Sequence, residues 1–308
     1  MLDAVFIMGP TASGKSALAL KLARELNGEI ISADSMQLYR SLEIGTAQPD
    51  QEERRSVPHH LVGIMDISER ADVFSFRQQA ESCIFEIRSR GHLPIVCGGT
   101  GMYLKALLYG MDDLPGDRTL RKDLDEKYDS PAGETALHQK MSQLDPQALE
   151  KWKNCRRRLI RAMEVRLLTG KSILEIQTNS QNSLRYPNIK AWKLDPPTDI
   201  LKEKIAVRTR LMLKNGWIKE AENAIVRGLF DTPTAHQALG YRLIGRYLDG
   251  EYNLETLEQL IITATWQYAR RQRTWFRHQH PESVSLTEYG TDIIPDLIHQ
   301  IRTYGSSK

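Results

Sequence analysis

The chain has 308 residues, of which 41% are hydrophobic and 26% charged, and its net charge is only +3. That balance excludes a disordered or fibrous chain and suits a folded protein of one large or two ordinary domains. No apolar run approaches the ~18 residues that would predict a membrane helix, and the N-terminus lacks the charged and cleavable segments of a signal peptide.

In chain order, Ala4-Val5-Phe6-Ile7-Met8 predicts a buried strand, followed by Gly9-Pro10-Thr11-Ala12-Ser13-Gly14-Lys15-Ser16 and a helix over about residues 14–27. Strand, glycine-bounded loop and helix N-terminus together are the setting of a P-loop. The two glycines let the backbone wrap so that its N–H groups point at phosphate oxygens. Lys15 adds a positive charge, Ser16 offers a hydroxyl to Mg²⁺, and the helix dipole favours the anion. Glu29-Ile30-Ile31-Ser32-Ala33-Asp34 predicts a second strand that ends on a carboxylate. A helical stretch near residues 75–90 leads to the strand Leu93-Pro94-Ile95-Val96-Cys97, then to Gly98-Gly99-Thr100-Gly101 and a helix carrying Met102-Tyr103-Leu104. Alternating strands and helices predict a parallel sheet, and glycine-rich turns at strand C-termini mark the edge where such sheets bind ligands.

The texture changes at Asp112-Asp113-Leu114-Pro115-Gly116-Asp117, beyond which the pattern is helical to about residue 185. Ile189-Lys190-Ala191-Trp192-Lys193-Leu194 predicts a return to the sheet, and residues 198–279 read as helices broken near Gly216, Gly228 and Gly250. The expected architecture is therefore α/β: a P-loop NTPase-like core with a parallel sheet (residues 1–113 and 189–308), interrupted by an all-helical insertion (residues 114–188). Cys83, Cys97 and Cys155 are odd in number and far apart, which suits a reducing cytoplasm and matches no metal spacing. His59-His60 reads as a surface or loop pair, and Gly305-Ser306-Ser307-Lys308 as a low-complexity tail.

Basic charge is concentrated in two places. Residues 151–171 hold Lys151, Lys153, Arg156, Arg157, Arg158, Arg161, Arg166 and Lys171 against the single acid Glu164. Arg270-Arg271-Gln272-Arg273-Thr274-Trp275-Phe276-Arg277 lies in a stretch without any acid, with Trp275 and Phe276 expected to anchor the helix. Like charges at helical spacing repel, so such clusters favour an anionic partner such as nucleic-acid phosphate.

With these blocks in order, the chain resembles the tRNA dimethylallyltransferase family. The resemblance rests on residues 9–16, Asp34-Ser35-Met36-Gln37-Leu38-Tyr39, Gly45-Thr46-Ala47, Gly98-Gly99-Thr100-Gly101-Met102-Tyr103, Arg157-Arg158-Leu159-Ile160-Arg161-Ala162-Met163-Glu164, Ala238-Leu239-Gly240-Tyr241, and Arg270-Arg271-Gln272 with Thr274-Trp275. It implies transfer of a dimethylallyl group from dimethylallyl diphosphate to N6 of the adenosine immediately 3′ of the anticodon, with the helical insertion gripping the tRNA anticodon stem-loop; a cytoplasmic monomer is expected. It also implies roles: the P-loop and Lys15 on the donor diphosphate with Mg²⁺ at Ser16; Asp34 as the base that takes the N6 proton; Thr100 at the reacting groups. Arg208 falls where the family keeps a diphosphate-binding arginine, but Arg208-Thr209-Arg210 departs from the usual Arg-Val-Asp and leaves Arg210 open as well. Contact with tRNA is expected from Asp34, Ser35, Met36, Gln37, Thr100, Arg157, Arg158, Arg161, Arg270, Arg271, Gln272, Arg273, Thr274, Trp275 and Arg277.

The residues alone leave alternatives open. A nucleotide or nucleoside kinase would use Asp34 as a Mg²⁺ ligand; separately, Thr100 would also suit a helix N-cap before Met102. Prenyl transfer to free adenine nucleotides would need neither basic cluster. An RNA-binding GTPase-like module would want an Asn-Lys-x-Asp segment, which the sequence lacks.

Overall fold

The computed structural model describes residues 2–111, 114–178, 184–279, 283–286 and 293–304. The breaker pair Asp112-Asp113 and the low-complexity tail lie outside the described residues. Strand β1 (Ala4–Met8) is wholly buried and runs through the glycine loop into helix α1 (Lys15–Leu26). β2 (Gly28–Ser32) follows, then α2 (Gln51–Ser56), β3 (His59–His60), α3 (Val73–Ser89), β4 (Leu93–Gly98) and α4 (Gly101–Tyr109). Next come five helices, α5 (Arg118–Lys127), α6 (Pro131–Leu144), α7 (Pro146–Trp152), α8 (Arg156–Thr169) and α9 (Ile173–Thr178). β5 (Ile189–Leu194) re-enters the sheet, followed by α10 (Thr198–Lys214), α11 (Trp217–Val226), α12 (Tyr241–Leu248), α13 (Leu254–Gln279), β6 (Val284–Leu286) and α14 (Ile294–Arg302).

The sheet is parallel throughout, in the order β3-β2-β4-β1-β5-β6. The P-loop strand β1 therefore lies between β4 and β5, and the C-terminal ends of β1, β2 and β4 come out side by side. One core, built from Val5, Ile7, Leu22, Ile95 and Trp192, fills the space between the sheet and the two helices α1 and α14. A second gathers Tyr39, Leu42, Trp217, Tyr241 and Ile261. Two strands were not expected. His59-His60, read as a surface or loop pair, pairs in parallel with Ile30 and Ile31, and β6 pairs with β5. Two- and three-residue strands carry too little hydrophobic pattern to be read from sequence, and it is the neighbouring ladder that recruits them.

The chain divides into two compact units, Met1–Leu108 with Leu184–Lys308, and Tyr109–Ser183. The edges of the second lie a few residues before the 114–188 expected. That unit has its own core of Leu124, Leu137, Met141, Leu159, Ile160 and Met163. Its helices α5, α6 and α7 start on capping side chains: Asp117 accepts from the Thr119 and Leu120 amides, Ser130 from Gly133, and Asp145 from Ala148. Each such cap satisfies an amide that the helix itself cannot, which contributes about 1 kcal/mol. The fully buried Glu164 accepts from the Asp117 amide at 2.8 Å, Arg121 Nε at 2.8 Å and Arg161 Nη1 at 2.7 Å.

A second buried carboxylate, Glu29 on β2, accepts from His60 Nε2 and His92 Nδ1, both at 2.6 Å, and from Arg90 Nη2 at 2.8 Å. Burial alone would raise its pKa, but the hydrogen bonds from His60, Arg90 and His92 outweigh burial and hold it at about 2. A depressed carboxylate pKa contributes stability above its unfolded value, and that contribution is lost as pH falls through the folded one. From the 4.5 of a free carboxyl to about 2, the gap corresponds to roughly 3 kcal/mol. Glu29→Gln should therefore melt at lower temperature near neutrality and lose its difference from wild type as pH falls from about 4.5 towards 2. Melting profiles of the two proteins that stay parallel over that range would contradict the assignment.

Candidate active site

The P-loop closes over its own backbone. Ser13 N–H bonds the Pro10 carbonyl at 3.2 Å, Ala12 takes a positive φ of 61°, and Gly14 one of 91°. A left-handed alanine is costly, and such strain gathers at ligand-binding loops. A Cβ at Gly9 would stand 2.7 Å from the Leu194 carbonyl oxygen, so the loop fits beside β5 only with glycine there. Ser13 Oγ is buried and has no hydrogen-bond partner among the described residues. An unmet buried hydroxyl inside a phosphate-type loop is a donor awaiting an oxygen.

A cavity of about 510 Å³ opens at the loop, lined on one side by Thr11, Lys15, Ser16, Arg208 and Lys204 and on another by Asp34, Gln37, Thr46 and Ala47. That is room for a small diphosphate ester and more. Lys15 Nζ donates to the Pro10 carbonyl at 3.2 Å. Burial pulls its pKa below the usual lysine range, Cys97 and Asp34 pull it back up, and Arg208 lowers it further. Arg208 reaches the P-loop to donate to Thr11 Oγ1, and burial lowers its pKa against the attraction of Asp34. Arg210 points elsewhere and pairs with Glu258 at 2.8 Å, so of the two arginines only Arg208 faces the cavity. Lys204, one helical turn before Arg208 on α10, was not anticipated from the sequence; its i, i+4 spacing from Arg208 was the available signal. Cys97, at the end of β4, also lines the cavity, and burial pushes its thiol up to about 11 against the pull of Lys15.

Asp34 stands two residues beyond β2. Its Oδ1 accepts from the Met36 amide at 3.0 Å, which folds residues 34–36 into a tight turn. Thr100 comes in from the second glycine turn, its Oγ1 accepting from the Ser35 amide at 3.0 Å. The hydroxyl is thus directed to the Asp34 turn, while the start of α4 is tied through the Thr100 carbonyl, which accepts from Tyr103 and Leu104. The two turns touch: the Thr100 amide donates to the Ala33 carbonyl at 3.1 Å. Gln37, expected to reach the nucleotide, lines the cavity but spends its amide internally. Its Nε2 donates to the Thr46 and Ala47 carbonyls at 3.1 and 2.8 Å, and its Oε1 accepts from Ser32 Oγ at 2.8 Å.

The expected RNA-contacting arginines divide by exposure. Arg157 and Arg158 on α8 are exposed, as are Arg270, Arg271, Thr274 and Arg277 on α13. Arg161 is only half-buried, with Glu164 and the Leu114 and Pro115 carbonyls accepting from its guanidinium. Gln272 lies on the inner side of the helix. It is 6% exposed and staples the two glycine turns, accepting from the Thr11 amide and donating to the Gly99 carbonyl, both at 2.8 Å. Arg273 pairs with Asp195 at 2.6 Å, and Arg277 approaches the same carboxylate at 3.8 Å. Trp275 packs its indole against Gly101, where no Cβ could fit. Arg270, Arg271, Thr274, Trp275 and His278 line an open groove.

A parallel sheet with a P-loop at its ligand-binding edge, flanked by Lys15 and Arg208 and faced by Asp34, defines an α/β protein of P-loop NTPase-like fold. Comparison with known proteins narrows the class. The profile described as IPP transferase matches residues 37–279, and that described as Isopentenyl transferase matches residues 2–71. The tRNA dimethylallyltransferase of Acetivibrio thermocellus is 39% identical over 98% of this chain and 98% of its own length. That of Kocuria rhizophila is 39% identical over 88% and 85%. Among solved structures, the tRNA isopentenylpyrophosphate transferase of Bacillus halodurans is 37% identical, with a TM-score of 0.72 over 99% of this chain and 97% of that one. A eukaryotic dimethylallyltransferase, described as acting on tRNA, is 26% identical with a TM-score of 0.85 over 99% and 80%. The chain belongs to the IPP transferase family and is an enzyme of that family.

Proposed function

We propose that the chain transfers the dimethylallyl group of dimethylallyl diphosphate to N6 of the adenosine immediately 3′ of the anticodon, releasing diphosphate. The observation that carries this reading is the meeting, in one cavity, of a phosphate-binding loop with the cations Lys15, Lys204 and Arg208 and a carboxylate from the next strand but one, in a chain of this family. Breaking an allylic C–O bond leaves charge on the departing diphosphate. Lys15, Arg208, the loop amides and the unmet Ser13 hydroxyl are the groups that receive it. An adenine N6 is a poor nucleophile because its lone pair is delocalised into the ring, and the Asp34 carboxylate is the group that takes its proton. Thr100 fixes the turn that carries Asp34.

The oxygen donors fit Mg²⁺. Ser16 is exposed on the first turn of α1 and lines the same cavity as Asp34, while the described residues contain no group of three His, Cys, Asp or Glu able to hold a metal. Mg²⁺ characteristically takes one or two protein oxygens and fills its remaining positions from water and substrate phosphates. Bound there, it would neutralise charge on the diphosphate.

The RNA half of the reading rests on the exposed arginines of α8 and α13. A target base stacked in the anticodon loop must be flipped out to reach N6, and gripping the phosphates around it holds the loop open. Three free cysteines suit the cytoplasm. No helix among the described residues is long and apolar enough to cross a membrane. Diphosphate release from the donor should require an anticodon stem-loop, and turnover of ATP without RNA would support a kinase instead. Substituting glutamine for Arg157 and Arg158 together, or for Arg270 and Arg271 together, should reduce the salt slope of tRNA binding. The expected reduction is about 0.7–0.9 for each phosphate that is no longer neutralised. An unchanged slope would make these arginines solvated surface only.

A further inference from the structure

Two motifs, Gly45-Thr46-Ala47 and Ala238-Leu239-Gly240-Tyr241, take no part in the chemistry above, yet the fold brings them together. The indole of Trp217, 2% exposed, packs against both glycines: a Cβ would stand 2.1 Å from its Nε1 if placed on Gly45 and 2.4 Å from its Cζ2 if placed on Gly240. Gly240 also has a φ of 94° that disfavours a side chain. Beside the indole, Glu220 clasps the loop. Its Oε2 accepts from the Ile44 amide at 2.7 Å, and its Oε1 accepts from the Gly45 amide at 2.9 Å and from the Tyr241 hydroxyl at 2.6 Å.

The clasped loop is a wall of the donor cavity. Thr46, Ala47, Gln48 and Pro49 line it, across from the P-loop, and Val62 continues the apolar surface. The loop is not at rest: Ala47 takes a φ of 52°, a conformation that persists only where its surroundings impose it. From the inner side the imposing residue is Gln37, which binds the Thr46 and Ala47 carbonyls and is itself tied to β2 through Ser32. From the outer side it is Glu220. The wall thus hangs between the strand that leads to Asp34 and the first turn of α11, with Ile44 and Ala47 packed on the core of Tyr39, Leu42 and Trp217 and the two sets of hydrogen bonds fixing its edge.

We infer that Glu220 is a positioning residue that sets this wall against the hydrocarbon part of the donor. The inference rests on the reaction proposed above for its donor, and on the clasp alone for its geometry. A carboxylate serves because both oxygens must accept. Glutamine of the same shape would turn an NH₂ towards a backbone N–H, leaving one clasp donor unmet and freeing the loop. The cations on the P-loop side would be untouched.

Calorimetric titration of wild type and Glu220→Gln with dimethylallyl diphosphate and, separately, with inorganic diphosphate tests this. The variant should bind dimethylallyl diphosphate about tenfold more weakly while its affinity for inorganic diphosphate stays within about twofold of wild type. Affinity of the variant for both ligands at wild-type level would overturn the inference. So would a parallel loss of both, which would mark Glu220 as merely structural. Should the variant melt too low to titrate, Tyr241→Phe, which removes only the hydroxyl donor, should bind dimethylallyl diphosphate more weakly by about two- to threefold, again with inorganic diphosphate unchanged. No change for either ligand would overturn the inference there too. Prenyl transfer by the wild type reports on the reaction separately: its absence, with selective donor binding intact, overturns the proposed reaction and leaves the wall's role standing.

Discussion

Asp34→Asn is expected to slow single-turnover prenyl transfer by about 10²–10⁴-fold at saturating donor and RNA, the usual contribution of a general base. The amide keeps the shape of the side chain, and its oxygen can still accept from the Met36 amide as the carboxylate does at 3.0 Å, so the turn survives. What it cannot do is take the N6 proton. Binding of donor and RNA should change far less. One secondary effect follows from the charges: Asp34 raises the pKa of both Lys15 and Arg208, so its loss lets burial lower Lys15 further. The donor affinity of the variant should therefore fall off earlier at alkaline pH. Were Asp34 mainly a Mg²⁺ ligand, as in the kinase reading, the substitution would weaken metal-dependent diphosphate binding, and rate would recover as Mg²⁺ is raised. Recovery to near wild-type rate at high Mg²⁺ would rule out Asp34 as the base.

Lys15→Ala is expected to cost on the order of a hundredfold to a thousandfold in transfer rate, as removal of one preorganised stabiliser of developing charge does elsewhere. The partial desolvation that lowers its pKa also makes its charge count for more than it would in water. The P-loop loses the ammonium's bond to the Pro10 carbonyl but should keep its fold, because the Ser13 amide still bonds that carbonyl and Gln272 still holds the Thr11 amide. Melting temperature and RNA affinity are thus the controls. Near-normal transfer at saturating donor would show that charge on the leaving group is met by Arg208 and the loop amides alone.

The donor half of the site was legible because its signals are local. Eight consecutive residues define the P-loop, and Asp34 and Thr100 follow strands whose apolar runs are easily read. The RNA half was less so, since an arginine-rich run does not say which side chains face outward. Helical phase would have helped on α13: its buried residues Leu257, Ile261, Thr265, Ala269, Gln272 and Phe276 fall at spacings of three and four, which puts Gln272 on the inner stripe. On α8 the lone acid among the basic residues was the corresponding signal, because Glu164 is buried and pairs with Arg161. The clasp at Glu220 had no local signal. The need for glycine at 45 and 240 arises from one indole packed against both, which only the folded chain supplies.

The most direct measurement is made on the RNA product. An unmodified anticodon stem-loop is incubated with the protein, Mg²⁺ and dimethylallyl diphosphate, digested to nucleosides and weighed. The single adenosine 3′ of the anticodon should gain one dimethylallyl group on N6, with one diphosphate released per transfer and no transfer by Asp34→Asn on the same timescale. A stem-loop recovered at its original mass, or a prenyl group found on any other atom or position, would contradict it.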